Sequence, residues 1–248
     1  MTSSTLEART GALPTVVLVH GAFADSSSWN VVIAALRRDG YPVVGVANPL
    51  RSLHGDAGFL RDVLDSVDGP SVVAGHSYGG SVMSEAADGH SQVRALVYVA
   101  SFLLAEGEST GELAAKYPGN ELGSALRPVP VRGPEGQILD DLYIEQEKFQ
   151  PIFAADVPAH VADLMAVTQR PIIGDALADK ATKAAWRTIP SWTLVTLQDL
   201  AVPAQAQRFM AERASSHAVE VDASHAVTVS RPDVVARLID QAARATAA

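Results

Sequence analysis

The chain has 248 residues, 48% of them hydrophobic and 19% charged, which is long enough to bury a sizeable core without covalent staples. It contains no cysteine, which excludes disulfides, thiolate metal sites and a cysteine nucleophile together. A formal net charge of −9 argues against nucleic acid or an anionic membrane surface as the main partner.

Residues 1–13 mix Ser, Thr, Glu and Arg without an apolar run of signal-peptide length, and are expected to form a flexible N-terminal segment. No stretch approaches the roughly 18 apolar residues of a membrane span, so a cytoplasmic protein with no membrane partner is expected. Residues 15–20 (TVVLVH) are the first short apolar run and end at His20-Gly21-Ala22-Phe23. Residues 29–38 then predict a helix, with Ser26, Ser27 and Ser28 available to cap it and Gly40 to end it. A second apolar run, residues 42–47 (PVVGVA), is followed by residues 57–67, where Phe59, Leu60, Val63, Leu64 and Val67 fall at helical spacing. Runs three and four are residues 71–75 (SVVAG) and 95–100 (ALVYVA). All four runs are continuous rather than alternating, the pattern of parallel strands covered on both faces. Strand and helix in alternation predict a doubly wound α/β sheet.

The third run leads into Gly75-His76-Ser77-Tyr78-Gly79, with a helix predicted from Gly80 through Ala87. Strand, G-x-S-x-G and helix in that order form a sharp turn that exposes the serine Oγ and sets the next N–H at a helix N-terminus. Serine is a weak nucleophile at neutral pH, so Ser77 needs a base, a residue to orient that base, and donors for the oxyanion. The loop after the first run leaves the sheet at the edge where α/β folds bind ligands. Gly21 allows backbone to approach a carbonyl there, so the N–H groups of Ala22 and Tyr78 are the candidate oxyanion pair. Phe23 is placed to donate instead or to line the pocket.

From residue 103 to about residue 185 the rhythm changes. Pro118, Pro128, Pro130 and Pro134 interrupt the first part, and helical patterns follow over residues 140–154 and 157–169. This stretch is expected to be a mostly helical insertion, residues 103–185, in a core made of residues 14–102 and 186–248. The core rhythm resumes with a strand at 192–197, a helix at 204–214, a strand at 218–221 and a helix at 232–245, with an Ala-rich tail after Arg244 expected to fray.

Asp199 begins the loop after the strand at 192–197, and His225 follows the strand at 218–221. Both fall on the same sheet edge as Ser77, in the chain order Ser, acid, His. Among seven histidines, His20 and His76 are expected to orient backbone, His54, His90 and His160 to lie in loop or helical surface contexts with no partner motif, and His217 to precede a strand. Asp222 stands too early in its loop to face the His225 ring, while Glu106 and Glu108 are rivals of Asp199. Activity should fall below roughly pH 6, because a charged imidazole cannot act as base.

These motifs resemble the α/β-hydrolase superfamily over the whole chain. Within it, VLVHGAF (17–23) followed by Trp29, GHSYGG (75–80) and SHAVTVSRP (224–232) resemble the branch of plant methylesterases and hydroxynitrile lyases, in the form of small bacterial hydrolases. The resemblance implies an α/β-hydrolase fold of about six mostly parallel strands and a cap over the site, which agrees with the insertion. Hydroxynitrile lyases of that branch carry a lysine just after the base region and a hydroxyl residue where Gly21 stands. Here Ala226 follows His225, so ester hydrolysis outranks cyanohydrin cleavage.

The insertion supplies Leu142, Tyr143, Phe149, Ile152, Phe153, Leu164, Met165 and Val167, some to hold it to the core and some to line a mainly apolar pocket. Phe23, Phe153 and Leu164 are the pocket candidates, and Asp140, Asp141, Glu145 and Glu147 are expected to face water. No dinucleotide fingerprint, phosphate loop or metal cluster is seen, so neither cofactor nor metal is expected. The expected partner is a small-molecule substrate, with a homodimer left open. Three functions compete: an esterase, lactonase or thioesterase; a lyase using the same triad; and a slow-turnover ligand receptor.

Overall fold

The computed structural model describes residues 13–247. The N-terminal segment expected at 1–13 lies, apart from Leu13, outside the described residues. Six strands form the main sheet: β1 (Thr15–Val19), β2 (Val43–Val46), β3 (Ser71–His76), β4 (Val93–Val99), β8 (Ser191–Thr196) and β9 (His217–Val221). Between β4 and β8 come β5 (Leu126–Arg132), β6 (Ile138–Ile144) and β7 (Ile172–Ile173). The helices are α1 (Asn30–Arg38), α2 (Leu53–Asp65), α3 (Tyr78–Ala86), α4 (Thr110–Ala115), α5 (Gln146–Phe153), α6 (Ala159–Thr168), α7 (Gly174–Ala178), α8 (Ala204–Arg213), α9 (Val227–Ser230) and α10 (Pro232–Ala245).

The main sheet has the order β2-β1-β3-β4-β8-β9, and every pair in it is parallel. Successive strand residues point to opposite faces, so each buried strand feeds two cores. On one face Val16, Leu18, Val72 and Val97 meet Val32 and Leu36 of α1 and Val235 and Ile239 of α10. On the other, Val17, Val19, Val73 and Tyr98 meet Leu60 of α2, Met83 of α3, Met210 of α8 and Phe149 and Phe153 of α5. The chain passes from β1 to β2 on one side and returns to β3 on the other. That reversal opens a crevice at the C-terminal ends of β1 and β3, where the Gly21 and Ser77 loops emerge. Among the described residues no helix is long and apolar enough to cross a membrane.

Several local readings are corrected. Ser26–Trp29 form a 3₁₀ turn capped by Asp25, whose carboxylate accepts from Ser27 N, so the serines are capped rather than capping. Helix α2 starts at Leu53, with Ser52 as its cap accepting from Gly55 N at 3.1 Å. Residues 138–144 are a strand, not the start of a helix, and the insertion carries an antiparallel sheet in the order β5-β6-β7 beside its helices. Pro128 and Pro130 belong to its edge strand β5. Two residues apart, they turn the same way and need no N–H toward β6, so proline is tolerated there. Asp141 is buried and accepts from Arg51 Nη1 at 2.7 Å instead of facing water. Helix α10 ends at Ala245, one residue past Arg244, with Thr246 Oγ1 donating to Ala242 O, and Ala248 lies outside the described residues.

Candidate active site

Ser77 sits between β3 and α3 with φ 53° and ψ −128°, a left-handed conformation that costs a residue with a Cβ about 1–3 kcal/mol. Neighbours hold it there: Ser77 N donates to Val99 O at 3.2 Å, and Ser77 O accepts from Ser101 Oγ at 2.6 Å. The elbow is packed so tightly that a Cβ on Gly79 would stand 2.4 Å from Val19 O. The loop after β1 closes in from the other side. A Cβ on Gly21 would lie 2.6 Å from Ser77 Cβ and 3.2 Å from its Oγ.

That loop is pinned through His20. Its Nε2 accepts from Asn48 N at 3.1 Å, so Nδ1 carries the hydrogen donated to Gly21 O at 2.9 Å, while Asn48 Nδ2 donates to His20 O. Phe23 N is already committed to Arg170 O at 3.0 Å, which leaves the N–H of Ala22 as the donor on offer. Tyr78 opens α3, so its N–H has no acceptor within the helix. Its ring is buried and its hydroxyl donates to the buried Asp56 at 2.9 Å. Burial raises the Asp56 carboxyl above its ordinary range.

His225 and Asp199 meet across the ends of β8 and β9. His225 Nδ1 lies 2.8 Å from Asp199 Oδ2, and both side chains are buried. A carboxylate only accepts, so Nδ1 carries the hydrogen of this bond, and in the neutral tautomer it selects the lone pair is on Nε2. Asp199 is fully engaged: Oδ1 accepts from Ala201 N and Val202 N at 2.8 Å each, and Oδ2 also accepts from Thr196 Oγ1 at 2.8 Å and Gln207 Nε2 at 3.1 Å. His76, next to the serine, donates Nε2–H to His225 O at 2.9 Å, and the two rings stand 4.7 Å apart. Burial, reinforced by His225, lowers the His76 pKa to about 3, which keeps its ring neutral.

The rival acids are occupied elsewhere. Glu106 pairs with Arg187 at 2.9 Å, and Glu108 with Arg213 at 2.7 Å. His90, expected at the surface, is buried 3.2 Å from Asp65, and His54 Nδ1 is 3.3 Å from Glu85.

Of the pocket candidates, the structure brings two together. The Phe153 ring lies 4.8 Å from that of His225 and 6.3 Å, edge-on, from that of Phe23. Ala226 N donates to Phe153 O at 2.9 Å, which ties α5 to the loop that carries His225. Leu164 stands apart, 64% exposed, on a cavity of about 270 Å³ that it shares with Phe23. Asn48, Asp56, Ser101, Thr196 and Gln207 escaped the sequence reading. Asn48, Asp56 and Ser101 act across 28, 22 and 24 positions, Thr196 and Gln207 reach Asp199 across three and eight, and none belongs to a motif.

Residues 16–238 match the alpha/beta hydrolase family. The chain is 29% identical to the alpha/beta hydrolase nvfD of Aspergillus novofumigatus, over 93% of this chain and 96% of that protein. It is 27% identical to a pyrethroid hydrolase of Sphingobium wenxiniae, over 94% of this chain and 88% of that one. Its fold is that of polyneuridine aldehyde esterase, with a TM-score of 0.80 at 18% identity, covering 92% of this chain and 98% of the other. A parallel sheet of this order, matched along nearly its whole length by hydrolases, leaves one family: the chain belongs to the alpha/beta hydrolases and is a hydrolase enzyme.

Proposed function

We propose that this hydrolase cleaves a small or medium, mainly apolar ester, lactone or thioester through an acyl enzyme on Ser77. The observation that carries this reading is the buried Asp199–His225 pair, bonded through the His225 carbonyl to His76, the neighbour of a serine held at φ 53°. In the first half-reaction Ser77 Oγ attacks the carbonyl carbon as His225 Nε2 takes its proton. The carbonyl oxygen becomes an oxyanion, which Ala22 and Tyr78 N–H groups stabilise. Collapse breaks the bond to the leaving alcohol or thiol, which receives the proton from His225. Water then attacks the acyl carbon by the same route, frees the acid and restores the serine. Asp199 orients the imidazole and stabilises its charged form. The lack of room for a Cβ at Gly21 supports hydrolysis over cyanohydrin cleavage, since it leaves no side-chain hydroxyl at that position. Relatives named as hydrolase and esterase agree with it.

The test is hydrolysis of a 4-nitrophenyl ester series, acetate to octanoate plus benzoate, by wild type and Ser77→Ala. Ser77→Ala is expected to keep the fold and lose about 10³-fold or more in kcat/KM. Near-normal rates in the variant end the proposal.

A further inference from the structure

The loop that carries His225 runs from β9 to α9 over residues 222–226, outside any helix or strand. Its place is therefore set by the bonds it makes to other elements. From the core it is held at Ala223, whose carbonyl accepts from Gln198 N at 3.0 Å, and at His225, whose carbonyl accepts from His76. The residues on either side of His225 are held by the insertion instead. Ser224 Oγ donates to Asp156 Oδ1, with Phe153 O 3.5 Å away, and Ala226 N donates to Phe153 O at 2.9 Å. The partners on the insertion belong to the turn between α5 and α6, 68 to 73 positions back in the chain.

That turn is itself braced. Val157 N donates to Ala154 O at 3.0 Å, and Gln150 Nε2 donates to Val157 O at 3.2 Å, which closes the turn back on α5. The Phe153 ring stands 5.0 Å from that of Phe149 and packs on the His225 ring. The second Asp156 oxygen lies 3.6 Å from Arg231 Nη1, too far for a hydrogen bond. Among the described residues, Ser224 is therefore the hydrogen-bond partner of the Asp156 carboxylate. Ser224 is buried, so its hydroxyl depends on that acceptor. An apolar pair of the same shape would fasten the insertion to the core about as well. A hydrogen bond adds direction, and here the direction falls on the residue next to the base.

We infer that Asp156 is a positioning residue for the base: through Ser224 its carboxylate fixes one flank of His225, while Phe153 O fixes the other. The imidazole is thus aligned from the insertion as well as from the core. The inference rests on the reading of His225 as the base for Ser77. The ring must present Nε2 to Ser77 and Nδ1–H to Asp199 at once, so a small shift of its loop loses one or the other. Because His225 takes a proton in acylation and again in deacylation, a displaced ring slows both steps together. Turnover then falls while KM, set by substrate binding and by the ratio of the two steps, is unchanged. Loss of a mere substrate contact acts the other way, on KM with kcat kept.

The experiment compares the full wild-type chain with Asp156→Ala, Asp156→Asn and Arg231→Gln. It reads kcat and KM on 4-nitrophenyl acetate, and the His225 ring-nitrogen shifts by NMR in chains carrying isotope-labelled histidine, assigned by their loss in His225→Gln. In Asp156→Ala, kcat is expected to fall about tenfold or more at an unchanged KM, the scale of a lost hydrogen bond to a charged group. The His225 nitrogens should move from the Nδ1–H tautomer toward the average of both tautomers. Asp156→Asn keeps an oxygen for Ser224 and should recover most of the loss. Arg231→Gln removes the ion pair but not the Ser224 bond, and should behave as wild type. Ser224→Ala cuts the same bond from the other side and stands in should Asp156→Ala fail to fold; the double variant should lose no more than the worse single one. Unchanged kcat in Asp156→Ala, whatever its urea midpoint, overturns the inference, as do a change in KM alone, an equal loss in Arg231→Gln, losses that multiply in the double variant, or unmoved His225 nitrogens. Failure of the Ser77 reading is seen separately, as acetate turnover that survives Ser77→Ala. Should wild type not turn over the acetate, the nitrogen shifts decide alone: moved in Asp156→Ala and restored in Asp156→Asn they support the inference, and unmoved they refute it.

Discussion

The two ends of the candidate site are held to different standards. At the core end, around Ser77, Asp199 and His225, backbone and side chains are fixed from several directions at once. Both Asp199 oxygens are engaged, His225 is held by Asp199 and His76, and the elbow leaves no space for a methyl group at Gly79. At the insertion end, α6 rests on two alanines and turns larger apolar side chains to solvent. The contrast teaches where each kind of demand falls. Chemistry needs reacting groups placed to a fraction of an ångström, whereas an apolar substrate group asks only for apolar surface, which tolerates change.

The strongest way to break that comparison is at Asp199. Asp199→Asn should lower kcat by about 10³–10⁴-fold, because the imidazole loses its fixed tautomer and its counter-charge. Glu106→Gln, which touches only the exposed Arg187 pair, should stay within about a few fold of wild type. Steady-state kinetics on one ester decides it, and the reverse pattern would mean the orienting acid is misassigned.

A middle-sized effect concerns stability. Gly79→Ala pushes a methyl group into Val19 O and should cost about 1–3 kcal/mol. Leu164→Ala, on the exposed face of α6, should stay within about 0.5 kcal/mol. Urea midpoints at constant m-value make the comparison, and equal losses would abolish the distinction drawn between the two ends.

The contrast in tolerance also explains what the sequence disclosed. The main sheet was legible because buried parallel strands must be continuously apolar, and 15–20, 42–47, 71–75 and 95–100 are. The elbow was legible because its geometry admits few residues, which makes G-x-S-x-G informative. The insertion was misread where two signals conflicted. Pro128 and Pro130 suggested broken structure, yet an edge strand accommodates them, and Ile138–Ile144 carries two aspartates, one of which Arg51 neutralises from 90 positions away. Long-range partners of that kind leave no local trace. The same holds for Asp56 under Tyr78 and His76 reaching the His225 carbonyl, while Gln207 supports Asp199 from the next helix, eight positions on.

The smallest expected effect sharpens the view of the core end as a dry, neutral-histidine environment. His76 is held down to about 3 and His20 is also lowered, both chiefly by burial, against an ordinary value of 6.5. Below 6.5 the unfolded chain takes up protons that the folded chain refuses. Stability therefore falls as the pH drops from 6.5 toward about 3, and His76→Gln should make that fall shallower by up to about one proton. Urea midpoints across that window report the slope, and an identical slope in wild type and variant would contradict a neutral buried His76.

The acyl enzyme itself is the most direct test of the central claim. Rapid mixing of the enzyme with 4-nitrophenyl acetate, followed by acid quench and peptide mass analysis, reads both the burst and its location. The account predicts a burst approaching one 4-nitrophenolate per chain, with one acetyl group on the peptide that contains Ser77 and none in Ser77→Ala. Steady turnover with no burst in wild type and undiminished turnover in Ser77→Ala would contradict it.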